Sequence, residues 1–245
     1  MRYFIRLAYI GTDFHGSQSQ PNGITVQQTL EEAMTTILRE PVALTFAGRT
    51  DAGVHAKCMY AHFDCNALPD NLVARLNSLL PDSIAVYEIF PVKPDAHARF
   101  DATSRTYEYY ITTIKDPFSI LTAAKVPPIL DFAAMNKAAS LLLGRHDFAS
   151  FCRVHTDVKT TFCTVTEAKW TNIDDQRAVF TITADRFLRN MVRAVVGTLF
   201  DVGRGKLTID DFAAIIAAKS RSAAGQSAPP QGLFLTSITY NNINI

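Results

Sequence analysis

Residues 42–63 read VALTFA, then GRTDAGVHA, then KCMYAHF: two apolar, β-branched and aromatic runs on either side of a loop at 48–56. Such runs predict a strand pair, because side chains of this kind pack on a half-buried pleated surface. Working outward, residues 2–10 read as a strand ending at Gly11. Thr25 to Arg39 opens with a Thr25-x-x-Gln28 capping box and sets Val26, Leu30, Met34, Ile37 and Leu38 at helical spacing, which predicts an amphipathic helix. Downstream, Pro69 to Leu80 reads as a helix and Ser83 to Phe90 as a strand. The order is β-α-β-β-α-β.

The remainder of the chain repeats that order. A strand at 105–113 is followed by a helix after the Asp131 N-cap, strands at 162–171 and 177–184, a long helix at 186–202, a helix capped by Thr208-x-x-Asp211, and a last strand at 233–240. The pattern predicts an α+β protein made of a ferredoxin-like unit written twice. Residues 1–102 and 103–245 are the two expected halves, with 91–102 as linker. Two such units joining their sheets would leave a cleft, the kind of place where ligands bind.

Composition narrows the classes. With 245 residues, 48% hydrophobic and 19% charged, the chain has material for a sizeable core and is not disordered by composition. Lys plus Arg (24) nearly balances Asp plus Glu (23), so a polyanionic partner must be sought in local patches. Cys58, Cys65, Cys152 and Cys163 form no CxxC or zinc-finger spacing and read as reduced thiols. Residues 1–11 lack an uninterrupted apolar signal core, and no window approaches ~18 apolar residues, so neither export nor a membrane span is expected and the cytoplasm is the default compartment.

The 48–56 loop compresses Arg49, Asp51 and His55 into seven positions. A guanidinium close to a carboxylate keeps it ionised, as a nucleophile or base requires. An ordinary surface hairpin with a turn-capping Asp explains the same residues. The loop lacks a Gly-Lys-Ser/Thr ending, and the chain has no HExxH motif and no GxSxG elbow, so neither a phosphate loop, a metal site nor a serine triad is expected. Residues 96–110, AHARFDATSRTYEYY, interleave cations with aromatics, as surfaces that stack on unpaired bases do, and as half-buried strands also do. If residues 186–202 are helical, Arg186, Arg189 and Arg193 share one face, and 185–221 carries seven Lys/Arg against four Asp/Glu. A solvated face accounts for that stripe equally well.

Six collinear segments together resemble the tRNA pseudouridine synthase A family: YIGTDFHGSQ (9–18), GRTDAGVHA (48–56), ARFDATSRTYEYYI (98–111), GRHDFASFC (144–152), DRFLRNMVRAVVGTL (185–199) and APPQGLFL (228–235). One departure is Ser17, where the family usually carries Trp. The resemblance implies a mixed, mainly antiparallel sheet shared by two ferredoxin-like halves around a central cleft. It implies isomerisation of uridine to pseudouridine in the anticodon stem-loop of tRNA, at positions 38, 39 and 40, without metal or cofactor, by a cytoplasmic homodimer. Asp51 matches the family's essential aspartate, either attacking C1′ or abstracting the C2′ proton. Arg49 matches the arginine that orients it, Tyr107 the tyrosine that stacks on the flipped base, Arg193 an arginine that pairs with the aspartate, and Leu233 an apolar wall. His97, Arg99, Arg153, His155 and Arg189 are assigned to tRNA contacts. Two other readings fit the residues: a non-catalytic RNA-binding module, and a metabolic enzyme using Asp51 with His55.

Overall fold

The structure, a computed structural model, describes residues 1–127, 129–153 and 159–241. It is an α+β protein with two compact units, Met1–Thr103 with Phe234–Ile245, and Ser104–Leu233.

The first unit runs β1 (Arg2–Tyr9), α1 (Val26–Leu38), β2 (Thr45–Phe46), β3 (His55–Asp64), α2 (Leu72–Leu79) and β4 (Ile84–Pro91). β1 lies antiparallel between β3 and β4, with Phe4 opposite His62 on one side and Phe90 on the other. β2 adds to β3 antiparallel through Thr45↔His62, beside the main order β4-β1-β3. Val26, Leu30 and Met34 form the buried stripe of α1, at the predicted helical spacing. Thr25 Oγ1 accepts from Gln28 N at 3.2 Å, but the Gln28 amide turns to Glu32, so only half of the expected capping box forms. The strand expected at 42–47 shrinks to two residues because its amides find partners on α1. Val42 N donates to Thr35 Oγ1 and Leu44 N to Glu31 Oε1, leaving them no reason to join the ladder. α2 begins two residues after Asp70, where Asn71 takes a left-handed conformation (φ 58°).

His62 sits in an aromatic layer with Phe4 and accepts from Ala98 N at 3.1 Å through Nδ1. Burial, with His97 and Arg2 as further positive neighbours, pushes its imidazole down to about 4. An unfolded histidine titrates near ~6.5, so between the two values the unfolded chain binds a proton that the folded chain refuses. The stability conferred by neutral His62 is therefore complete above that range and lost as pH falls toward about 4. Urea midpoints should drop between pH 7 and pH 5, and a His62→Asn variant should lose part of that dependence; a wild-type midpoint flat across the interval contradicts the assignment.

The second unit runs β5 (Ala102–Thr112), β6 (Ala124–Lys125), α3 (Phe132–Ser140), β7 (Gly144–Asp147), β8 (Phe162–Asn172), β9 (Arg177–Ala184), α4 (Met191–Gly203) and α5 (Ile209–Ala218). β5, β9, β8 and β7 pair antiparallel in that order, and β6 runs parallel to β5. Asp131 caps α3, and Thr208 with Asp211 closes a full capping box on α5, both as expected. Two details depart from expectation. Residues 144–147 form a strand that the predicted element order does not contain. More consequentially, α4 starts at Met191, five residues later than the predicted helix, because Asn190 is left-handed at φ 65°. Arg186 and Arg189 precede the helix, so the predicted three-arginine helical face does not exist. Instead of an amphipathic stripe, α4 is buried at eleven of its thirteen residues.

The last strand, β10 (Leu233–Tyr240), changes the expected division of the chain. From Phe234 onward it belongs with the first unit, running parallel to β3 through Phe234↔His55 and Leu235↔Ala56, rather than with residues 103–233. Tyr240 packs edge-on against Phe4 and Tyr60 at 5.6 and 5.5 Å, and its hydroxyl donates to Ala98 O at 2.6 Å. All four cysteines are free, and burial pushes the Cys163 thiol up to about 12. Among the described residues no helix is long and apolar enough to cross a membrane.

Candidate functional site

In the first unit the predicted chemistry sits on residues 47–54, which leave β2 and re-enter the sheet at His55. The exit is pinned by Ala47 N to Tyr60 O at 2.8 Å. Val54 N donates to Asp51 O at 3.1 Å, which makes Asp51 the first residue of a tight turn. The carboxylate residue is half-buried and Arg49 is exposed. Thr50, between them, is 7% exposed and heavily tied. Its N–H donates to Ser17 Oγ at 2.9 Å, its carbonyl accepts from Ser17 N at 3.2 Å, and its hydroxyl shares a 2.9 Å hydrogen bond with Tyr9 OH. A loop held this way presents its acidic side chain from a fixed backbone, which a nucleophile or base needs.

His55, the third polar residue of the motif, is fully buried. Its Nδ1 accepts from Gly11 N at 2.9 Å and its ring lies 4.5 Å from that of Phe234. An enclosed imidazole with this engagement joins strands and has no access to a substrate, which removes the physical basis for an Asp51/His55 acid–base pair.

His97 and Arg99 lie elsewhere on the first unit. The His97 ring is 4.6 Å from that of His62, and its Nδ1 accepts from Arg99 N at 3.1 Å. His55 and His62 are seven residue steps apart on β3, roughly 23 Å at ~3.3 Å per residue. The His97/Arg99 turn is thus at the opposite end of that strand from the Asp51 loop. Arg99 lies over the ring of Phe100, a residue that is 75% exposed. A cation beside an exposed aromatic residue is the kind of pair on which unpaired bases stack.

In the second unit, the predicted residues gather along 185–193. Tyr107 on β5 is 8% exposed and meets Phe187 edge-on at 5.0 Å. Tyr109, on the same strand face, donates to Pro229 O at 2.8 Å; burial raises its phenol well above the usual range, so it is neutral. Arg193 in the first turn of α4 donates from Nε to Ala228 O at 2.8 Å, and Ala228 N returns a bond to Arg193 O at 2.9 Å. A helix running from residue 186 would set Arg193 on a solvated face; with α4 starting at Met191 it is half-buried and locked to the 228 segment. Leu233 is 5% exposed at the start of β10. Arg153 N donates to Arg189 O at 3.0 Å, which brings two exposed guanidinium-bearing residues onto adjacent chain segments. His155 lies outside the described residues.

Sequence reasoning missed Tyr9, Ser17 and Thr50 as a unit. The hydroxyl residues are separated by up to 41 positions, and hydroxyl spacing of that kind carries no periodic signal. Among the described residues, no three His, Cys, Asp or Glu side chains gather in a metal-binding cluster.

A family model described as "tRNA pseudouridine synthase" matches residues 138–241. Curated proteins named tRNA pseudouridine synthase A match nearly the whole chain. The protein from Parabacteroides distasonis is 58% identical over 242 residues, 98% of this chain and 96% of its own length. That from Bacteroides fragilis is 55% identical with the same coverage, and that from Exiguobacterium sibiricum is 37% identical over 241 residues, 98% and 96% of the two chains.

Proposed function

The chain belongs to the tRNA pseudouridine synthase A family, and from that premise we propose that it isomerises uridine to pseudouridine in the anticodon stem-loop of tRNA, at positions 38, 39 and 40. The reaction breaks the bond from ribose C1′ to N1 of uracil, turns the base, and joins C1′ to C5. The C5 proton is lost and N1 gains one, so atoms and electrons balance with no redox partner. Asp51 supplies the carboxylate, as nucleophile at C1′ or as base at C2′. Tyr107, Arg49, Arg193 and Leu233 take the roles the resemblance gives them, and Arg153, His155, Arg189, His97 and Arg99 contact the RNA backbone. Extruding the uridine costs a few kcal/mol, which such backbone contacts offset. The doubled ferredoxin-like organisation, the homodimer and the cytoplasmic setting belong to the same proposal.

The observation that supports it most is the Asp51 loop: a half-buried carboxylate beside an exposed arginine, on backbone tethered through Thr50 to two separate segments. Incubation with an unmodified tRNA transcript in EDTA, followed by pseudouridine mapping, tests it. Product at one or more of the three uridines despite chelation is expected. Tight binding without product would favour a non-catalytic RNA-binding module.

A further inference from the structure

Thr50 is the immediate neighbour of Asp51, and its surroundings are built from rigid elements. The first-turn amides of α1 reach back to the 16–17 segment: Val26 N donates to Gly16 O at 3.3 Å and Gln27 N to Ser17 O at 3.0 Å. Ser17, fully buried, passes that anchorage on through its own N–H and hydroxyl, which bracket the Thr50 carbonyl and amide. The end of β1 contributes Tyr9 OH to the Thr50 hydroxyl. Gly16 makes the approach possible: it holds φ +94°, and a Cβ there would lie 2.7 Å from Thr50 O.

Resting on the function proposed above, we propose that Ser17 and Tyr9 are positioning residues that act through Thr50 to set the direction of the Asp51 carboxylate. Both the hydroxyl and the backbone of Thr50 are engaged, the first by the end of β1 and the second by residue 17 of the loop that follows it. Removing one tether lets the loop rotate without unfolding the sheet. Displacing a reacting group by about 1 Å can cost on the order of 100-fold in rate. The effect belongs to the chemical step, because none of the three hydroxyls needs to touch RNA.

The test is the single-turnover rate of pseudouridine formation on saturating tRNA transcript, measured beside tRNA affinity and thermal midpoint. Thr50→Val, an isosteric loss of the hydroxyl, should slow the step by at least about tenfold with affinity changed less than about twofold. Thr50→Ser should recover most of the rate. Adding Tyr9→Phe to Thr50→Val should cost nothing further, since its partner is already gone. Should Thr50→Val fail to fold, Tyr9→Phe alone decides, with a several-fold slower step expected at unchanged affinity. An active wild type whose Thr50→Val and Tyr9→Phe variants match it overturns the inference and leaves the function standing. So does a Thr50→Ser no faster than Thr50→Val, or a loss that merely tracks the unfolded fraction. A wild type that makes no pseudouridine overturns the function itself.

Discussion

Asp51→Asn is expected to abolish pseudouridine formation, by a factor on the order of 1,000 or more, while tRNA affinity and thermal midpoint stay near wild type. The amide fills the same space but carries no charge, so it can neither form an ester at C1′ nor accept the C2′ proton. A main-chain bond closes the turn, Val54 N to the carbonyl of residue 51, and the neighbouring tethers fall on Thr50, so the isosteric amide keeps the backbone that carries it. The substitution therefore separates chemistry from structure. Mapping after long incubation with transcript checks it, and a rate above roughly a hundredth of wild type would mean that another group does the work.

Gly197→Ala should produce the largest loss of stability. In an exposed helix this exchange gains up to about 1 kcal/mol, because glycine is the poorer helix former. Here the sign reverses. A Cβ at position 197 would sit 1.8 Å from the carbonyl oxygen of Gln226 and 3.1 Å from Ala228 N, both backbone atoms. The 225–228 segment cannot simply retreat: Gly225 N donates to Thr198 Oγ1 at 3.0 Å, and Ala228 exchanges two hydrogen bonds with Arg193. Overpacking costs about 1–3 kcal/mol, and each buried hydrogen bond broken with it adds about 1 kcal/mol. A net loss on the order of 3 kcal/mol follows, seen as a thermal midpoint lower by roughly 10 °C. Because Arg193 loses its carbonyl anchor in the same movement, the folded fraction should also turn over more slowly. An unchanged midpoint would show that the segment relaxes at no cost.

The local rules succeeded where a residue's fate depends on its neighbours in sequence. Thr25 and Thr208 begin helices because a hydroxyl three residues upstream of a free amide caps it wherever the helix later packs. Alternation in RYFIRLAY and RTYEYYIT gave strands at 2–9 and 102–112 for the same reason. The Asp51 loop was legible as a loop because apolar runs flank it, of which Val42, Leu44 and Phe46 on one side are buried. The arginine stripe failed at Asn190, where one left-handed residue ends a periodicity that residues 186–189 otherwise continue. Those residues gain more by placing Phe187 on Tyr107 and Leu188 in the core than by one further helical turn.

By itself, the order of amino acids determined most of the helices and strands, the carboxylate in its loop, and the family to which the chain belongs, because these follow from propensities, spacings and motifs that act over a few residues; it misassigned 42–44, 144–147 and 186–190. Only the tertiary structure decided that β10 returns to β3, that His55 is a sealed strand-joining group, and that Tyr9, Ser17 and Thr50 meet behind Asp51. Each of these is a contact between segments far apart along the chain, selected by which buried polar groups find partners once the sheet has closed, and no local pattern encodes that competition.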